Sequence, residues 1–221
     1  MTPEEKAVCT LLEITDRLLA PDGCPWDREQ TVRSWARMVF EEICEALDSL
    51  NDIDPEQLAD ELGDVLAGTF FLAKAAAKEK GFTSWTLPFT LAAEKLRRRH
   101  PHIYANEKLP SDVPSLEQKW EEIKATERHH RHRKSHFDGL PKSLPALALM
   151  QKLVHKARKV PECVESVDGL VAQKRTDREE ELGRRIAQVI VEAEKEGIQA
   201  EHALRLYFRF CREALMEKEG S

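Results

Sequence analysis

Glycine is scarce in this chain, with nine in 221 residues, and aromatic side chains make up only 6 %. No stretch alternates apolar and polar residues as a half-buried strand does. With charged residues at 33 %, these shortages argue against a sheet protein and for an all-α one. No apolar run approaches the roughly 20 residues that a membrane span needs, so no membrane association is expected. The start of the chain lacks a basic stretch followed by an apolar run, so no secretory signal is expected. The five cysteines (Cys9, Cys24, Cys44, Cys163 and Cys211) are odd in number and scattered, without CxxC or Cys/His zinc spacing. Reduced thiols in a cytoplasmic protein are the plain reading. An excess of positive charge is missing too: the net charge of -6 argues against a general nucleic-acid binder. The length suffices for one large domain or two small ones.

What the chain does have is a run of helix signals. Thr2, Pro3 and Glu5 form a capping-box start, and Pro21-Asp22-Gly23 ends that first helix. Cys24-Pro25-Trp26-Asp27 reads as a loop. A second helix is expected from about Gln30 to Leu50, with Val32, Trp35, Val39, Ile43, Ala46, Leu47 and Leu50 mostly inward. Asn51-Asp52-Ile53 breaks it. Asp54 caps a third helix, which has Pro55 in first position and runs to about Lys80, where Gly81 stops it. A fourth spans about Trp85 to Arg99. A fifth starts after Ser115, with Trp120 and Ile123 facing inward. Residues 128–136, RHHRHRKSH, read as a solvated basic tract, and two or three further helices follow Pro145.

Two of these helices carry the chemistry. Glu42/Glu45 and Glu61/Asp64 are pairs at i, i+3, so each pair falls on one helix face. Glu41 and Asp48 flank the first pair, with no Lys or Arg at i+4 to balance them. A solvated acidic face is the bland reading. The recurrence of the same spacing on the next helix favours a second one, in which an antiparallel hairpin joins both pairs and Gly63 and Gly68 ease the approach. Four clustered carboxylates need cations to neutralise them, and an all-oxygen set suits Mg²⁺ or Mn²⁺. The natural ligand of such a site is a polyphosphate.

Candidate partners for phosphate and base lie elsewhere. Lys95, Arg98 and Arg99 sit at the end of the fourth helix, where they either clamp phosphate or simply stabilise a helix C-terminus. Lys119, Trp120 and Lys124 offer two cations and an aromatic, although Trp120 alone reads as a core residue. Trp26 either stacks on a base or pins its loop. The chain also echoes itself. EELGRR (180–185) matches DELGDV (60–65) at an offset of 120 (181 minus 61), with Arg184 where Asp64 stands. The residues just before it, VAQKRTD, hold no ExxE. The C-terminal third therefore reads as a degenerate second copy that has lost its metal site.

In order and spacing, CPWDREQT (24–31), FEEICEALD (40–48), DELGDVL (60–66), EKLRRRHPHIY (94–104) and WEEIKATER (120–128) resemble the MazG nucleoside triphosphate pyrophosphohydrolases, and LPALALMQKLVHKA (144–157) resembles the start of the second MazG module in two-module members. The chain departs from the family at VRSW (32–35), where HisSerLeu is frequent. The resemblance implies an all-α fold in three parts: a MazG-like catalytic module at 1–128, a basic His-rich linker at 129–140 and a degenerate second module at 141–221. It implies a homodimer that hydrolyses NTPs to NMP and pyrophosphate with Mg²⁺. The metal ligands would be Glu42, Glu45, Glu61 and Asp64, with Glu41 or Glu45 handling the attacking water. Trp26, Lys95, Arg98, Arg99, Lys119, Trp120 and Lys124 would hold substrate. A non-catalytic nucleotide-sensing or protein-interaction module is the rival reading. Base preference and the phosphorus attacked stay open.

Overall fold

The structure is a computed structural model that describes residues 1–50, 54–105, 112–127, 135 and 137–219. Eleven helices and no strand occur among them: α1 (Pro3–Leu19), α2 (Pro25–Glu29), α3 (Val32–Ser49), α4 (Pro55–Lys80), α5 (Leu87–Arg99), α6 (Pro101–Tyr104), α7 (Val113–Ala125), α8 (Ala146–Arg158), α9 (Pro161–Ala172), α10 (Arg178–Lys195) and α11 (Ala200–Glu219). They form two compact units, Met1–Trp120 and Glu121–Ser221. The break after the second expected helix (51–53) and most of the basic linker lie outside the described residues. None of the described helices is long and apolar enough to cross a membrane.

The first unit is organised by the α3–α4 hairpin. The Thr2–Glu5 capping box opens α1 as expected. For α3 a reciprocal Thr31–Ser34 box sets the start two residues later than the sequence suggested. The Glu79 carboxylate near the end of α4 accepts a second orphan donor there, the Val32 N–H, at 2.7 Å. Asp54 caps α4, and Gly81 ends it in the left-handed conformation at φ 69°. The helices run antiparallel, so Trp35 stacks on Phe71 with centroids 4.3 Å apart. One turn along, Gly68 meets Val39 so closely that a Cβ would lie 2.9 Å from Val39 Cγ2. Gly63 has no neighbour within 4 Å, so only one of the two expected glycines serves close approach.

Four expectations need correction, the first being the number of helices after Pro145, which is four among the described residues (α8 to α11) and not two or three. The Cys24–Asp27 segment is largely the short helix α2, because Pro25 suits its first position and Asp27 its first turn. Helix α7 starts at Val113, since Asp112 accepts the Ser115 N–H at 2.8 Å. Trp35 and Ala46 are buried, but Ile43, Leu47 and Leu50 are exposed. The periodicity identifies an apolar face correctly, and within one chain only part of that face finds a neighbour.

Helix α1 is locked onto α4 by Lys74. Its ammonium donates to Thr15 Oγ1 at 2.5 Å and pairs with Asp16 at 2.8 Å, although its side chain is only 8 % exposed. In the second unit, Val154, Ala157, Ile190 and Val191 make the core of α8 and α10. The buried Gln151 is fully used there. Its Nε2 donates to Glu194 and to the Ile198 carbonyl, and its Oε1 accepts from the Ala200 N–H.

Candidate functional site

The antiparallel hairpin places the second half of α3 against the first half of α4, so the two carboxylate pairs meet. One oxygen from each of Glu42, Glu45 and Glu61 lies within 4.8 Å of the others. Glu42 and Glu61 are half-buried and Glu45 is exposed. None of the three makes an ion pair among the described residues. The cost appears in their acidities. Burial pushes the Glu42 carboxyl above its ordinary value, and Asp64, Glu45, Glu61 and Glu41 push further in the same direction. Burial raises Glu61 too, with repulsion from Glu45, Asp60 and Asp64 added. Asp64 is outside the tight group of three but adds its field to both. Glu41 is exposed on another face and accepts from Arg37 Nε at 3.0 Å. The donor set is carboxylate oxygen throughout, which fits a hard divalent cation.

The other expected site residues are dispersed. Trp26 is more than half exposed and meets Trp35 edge-on, with centroids 6.0 Å apart. Lys95, Arg98 and Arg99 lie in the last half of α5. The Arg99 guanidinium stands 5.3 Å from the Trp120 ring centroid, so this cation and this aromatic are brought together. Trp120 is 38 % exposed, not a core residue. Lys119 is half-buried on α7. Lys124 belongs to the second unit and pairs with Glu121 at 3.1 Å.

In the second unit Arg184 stands where the first unit has Asp64. Arg184 donates to both oxygens of Glu181, at 2.8 and 2.6 Å, and its third nitrogen reaches the Val171 carbonyl at 2.6 Å. The bound guanidinium, helped by the Arg175 N–H, holds the Glu181 carboxyl down at about 2. Glu61, at the matching position of the first unit, is shifted in the opposite direction. The sequence reading missed how far this copy extends. ECVESVDGL (162–170) stands 120 positions after EICEALDSL (42–50), so Glu162, Glu165 and Asp168 repeat Glu42, Glu45 and Asp48. The spacing from the second glutamate to the next helix is also kept, since 61 minus 45 and 181 minus 165 are both 16. The missing ExxE was legible a few residues upstream of where it was sought.

A helical hairpin that concentrates carboxylates on its inner seam defines an all-α, acidic-site protein. Residues 30–104 match the family model of the MazG nucleotide pyrophosphohydrolase domain. The chain is 38 % identical over 151 residues to the nucleoside triphosphate pyrophosphohydrolase of Escherichia coli K12, covering 68 % of this chain and 57 % of that protein. It is 34 % identical over 151 residues to the nucleoside triphosphate pyrophosphohydrolase/pyrophosphatase MazG of Thermotoga maritima, covering 68 % and 56 %. It is 31 % identical over 212 residues to an uncharacterized 26.1 kDa protein of Streptomyces cacaoi, covering 95 % and 81 %. The crystal structure of a MazG-related protein from Thermotoga maritima superposes with a TM-score of 0.46 at 27 % identity, over 52 % of this chain and 96 % of that one. The chain belongs to the MazG family. It spans little more than half the length of the named pyrophosphohydrolases from Escherichia coli and Thermotoga maritima.

Proposed function

We propose that this chain is a cytoplasmic, divalent-metal-dependent nucleoside triphosphate pyrophosphohydrolase that converts NTPs or dNTPs to monophosphate and pyrophosphate and so clears nucleotides from the pool. The observation that carries the reading is the convergence of Glu42, Glu45 and Glu61, none of which makes an ion pair among the described residues. Glu42, Glu45, Glu61 and Asp64 hold the ion, Mg²⁺ with Mn²⁺ as substitute. When bound, it supplies the positive charge that the polyphosphate and the departing pyrophosphate need. Glu45, the exposed member, accepts the proton of the attacking water; Glu41, held by Arg37, is the alternative base. Lys95, Arg98, Arg99, Lys119 and Lys124 are the cations for the polyphosphate tail, with Trp26 and Trp120 the aromatics of the substrate-binding set.

The same reading includes a homodimer. Phe40, Ile43, Leu47 and Leu50 repeat along α3 at helical spacing, and all four are at least 43 % exposed beside the carboxylates. Leu62 and Leu66 on α4 are exposed as well. A second copy of the hairpin covers this apolar surface and closes the site. The test is incubation with ATP, dTTP and dUTP plus Mg²⁺. Monophosphate and pyrophosphate are expected, and absence of both with all three substrates and with Mn²⁺ overturns the proposal. The arginine-filled second copy favours one other reading, a nucleotide-sensing or protein-interaction module without turnover.

A further inference from the structure

A cavity of about 460 Å³ lies at the other end of the α3–α4 seam, lined by α1, α2, α3 and α4. This is within the range of small-ligand sites. The stacked Trp35 and Phe71 rings line it, and so does Asp27. Asp27 is only 9 % exposed, and its carboxylate makes no hydrogen bond or ion pair among the described residues. The buried cation in the same cavity is already committed, because the Lys74 ammonium is taken by Thr15 and Asp16. Gln30 also lines the cavity. Its amide nitrogen donates to the Trp26 carbonyl, which leaves its oxygen as a second open acceptor. Arg28 and Lys78 also line the cavity, but both are exposed and neither pairs with Asp27 among the described residues, so the Asp27 carboxylate is open to a ligand that carries N–H groups.

We propose that this cavity takes the guanine base of a nucleotide, with Asp27 receiving the ring N1–H and the 2-amino group together. The proposal deepens the pyrophosphohydrolase reading by naming the base, and in that respect rests on it. The choice among bases is chemical. A carboxylate accepts two parallel hydrogen bonds and donates none. Only guanine, of the common bases, presents two donors side by side. Adenine and cytosine set one amino group beside a ring acceptor, which the carboxylate repels, and uracil and thymine flank one N–H with carbonyls. The stacked and nearly buried Trp35 and Phe71 rings give the cavity an apolar wall. Distance fits too. Trp35 and Glu42 share a helix face two turns apart (42 minus 35 is 7), as do Asp64 and Phe71 (71 minus 64 is 7). Seven residues rise about 10 Å, the kind of span between base and terminal phosphates in an extended nucleoside triphosphate.

The test is calorimetric titration of the full chain, without metal, with guanosine, inosine, adenosine and cytidine. Guanosine is expected to bind tightest. Inosine, which lacks the 2-amino group, should bind roughly tenfold more weakly. Asp27→Asn should cost guanosine roughly 10- to 100-fold, the discrimination of a two-hydrogen-bond contact. Ala75→Met fills the cavity while leaving Asp27 in place, and should abolish guanosine binding in a chain that melts normally. Glu61→Gln should not change it. Equal binding of the four nucleosides, no guanosine binding, or indifference to both Asp27→Asn and Ala75→Met overturns the assignment. Triphosphate hydrolysis without guanosine binding rejects the cavity alone. Ranked guanosine binding without hydrolysis rejects the catalytic reading alone.

Discussion

Gly68→Ala probes the geometry on which the carboxylate site depends. The added Cβ lies 2.9 Å from Val39 Cγ2, so something has to move. The valine cannot swing aside cheaply, since a β-branched side chain in a helix has one strongly preferred rotamer. The helices must part, at the cost of about 1–3 kcal/mol that overpacking a tight interface incurs. Against this stands a gain of about 1 kcal/mol from replacing glycine by alanine in mid-helix. The expected net effect is a loss of roughly 0–2 kcal/mol, which lowers the melting temperature of a unit this size by up to about 10 °C. Gly63→Ala is the control on the same helix. With nothing within 4 Å of it, the full propensity gain of about 1 kcal/mol should appear. Thermal melts by circular dichroism compare the two, and adding Val39→Ala to Gly68→Ala should recover part of the loss as a coupling energy. Because the carboxylates sit one to two turns from this contact, Gly68→Ala should also weaken Mg²⁺-dependent hydrolysis. A Gly68→Ala chain as stable as Gly63→Ala and as active as wild type would refute the close-packed seam.

Glu42→Gln and Asp64→Asn should each abolish metal-dependent hydrolysis with the fold intact, and unchanged turnover in either variant removes the metal assignment. Since the folded Glu42 carboxyl is raised, ionisation costs the folded state stability at neutral pH. Glu42→Gln should therefore melt higher than wild type in chelator at pH 7, an advantage that disappears below the ordinary carboxyl value near 4.5. Glu181 has the opposite sign: held at about 2, it contributes stability present above pH 4.5 and lost as pH falls toward 2. Arg184→Met should flatten that acid step in a melt followed against pH, and an unchanged profile would show the pair to be idle. For the dimer, light scattering at micromolar concentration should give twice the chain mass. Inactive Glu61→Gln chains mixed with inactive Lys119→Ala chains should regain activity if sites are shared, and a fully active monomer excludes sharing.

The elements that announced themselves in the sequence did so through local chemistry. Thr2–Glu5, Asp54–Pro55 and Gly81 mark helix ends by hydrogen bonds and backbone preferences that need no distant partner. The carboxylate site was legible for a similar reason, since i, i+3 spacing on consecutive helices fixes the faces and a short connection makes the helices antiparallel. Asp27 was not legible as a buried group. Its burial depends on where α1 and α4 fall, and the buried cation in its cavity, Lys74, is taken by Thr15 and Asp16. The exposure of Ile43 and Leu47 was hidden likewise, because periodicity says which face is apolar but not what covers it.

The two copies of the acidic motif answer the same electrostatic problem in different ways. In the second unit Arg184 supplies a covalently attached cation, and the glutamate beside it becomes unusually acidic. In the first unit aspartate keeps that position, no cation among the described residues pairs with Glu42, Glu45 or Glu61, and the carboxyls of Glu42 and Glu61 are held above their ordinary values. A structural role alone would be served better by the arginine, since a guanidinium is always charged and never dissociates. Keeping the aspartate leaves a carboxylate cluster with no ion pair among the described residues, which is the arrangement the proposed cation site calls for. The retained repulsion in the first unit, set beside its internal neutralisation in the second, is what supports placing the proposed active site at residues 42–64.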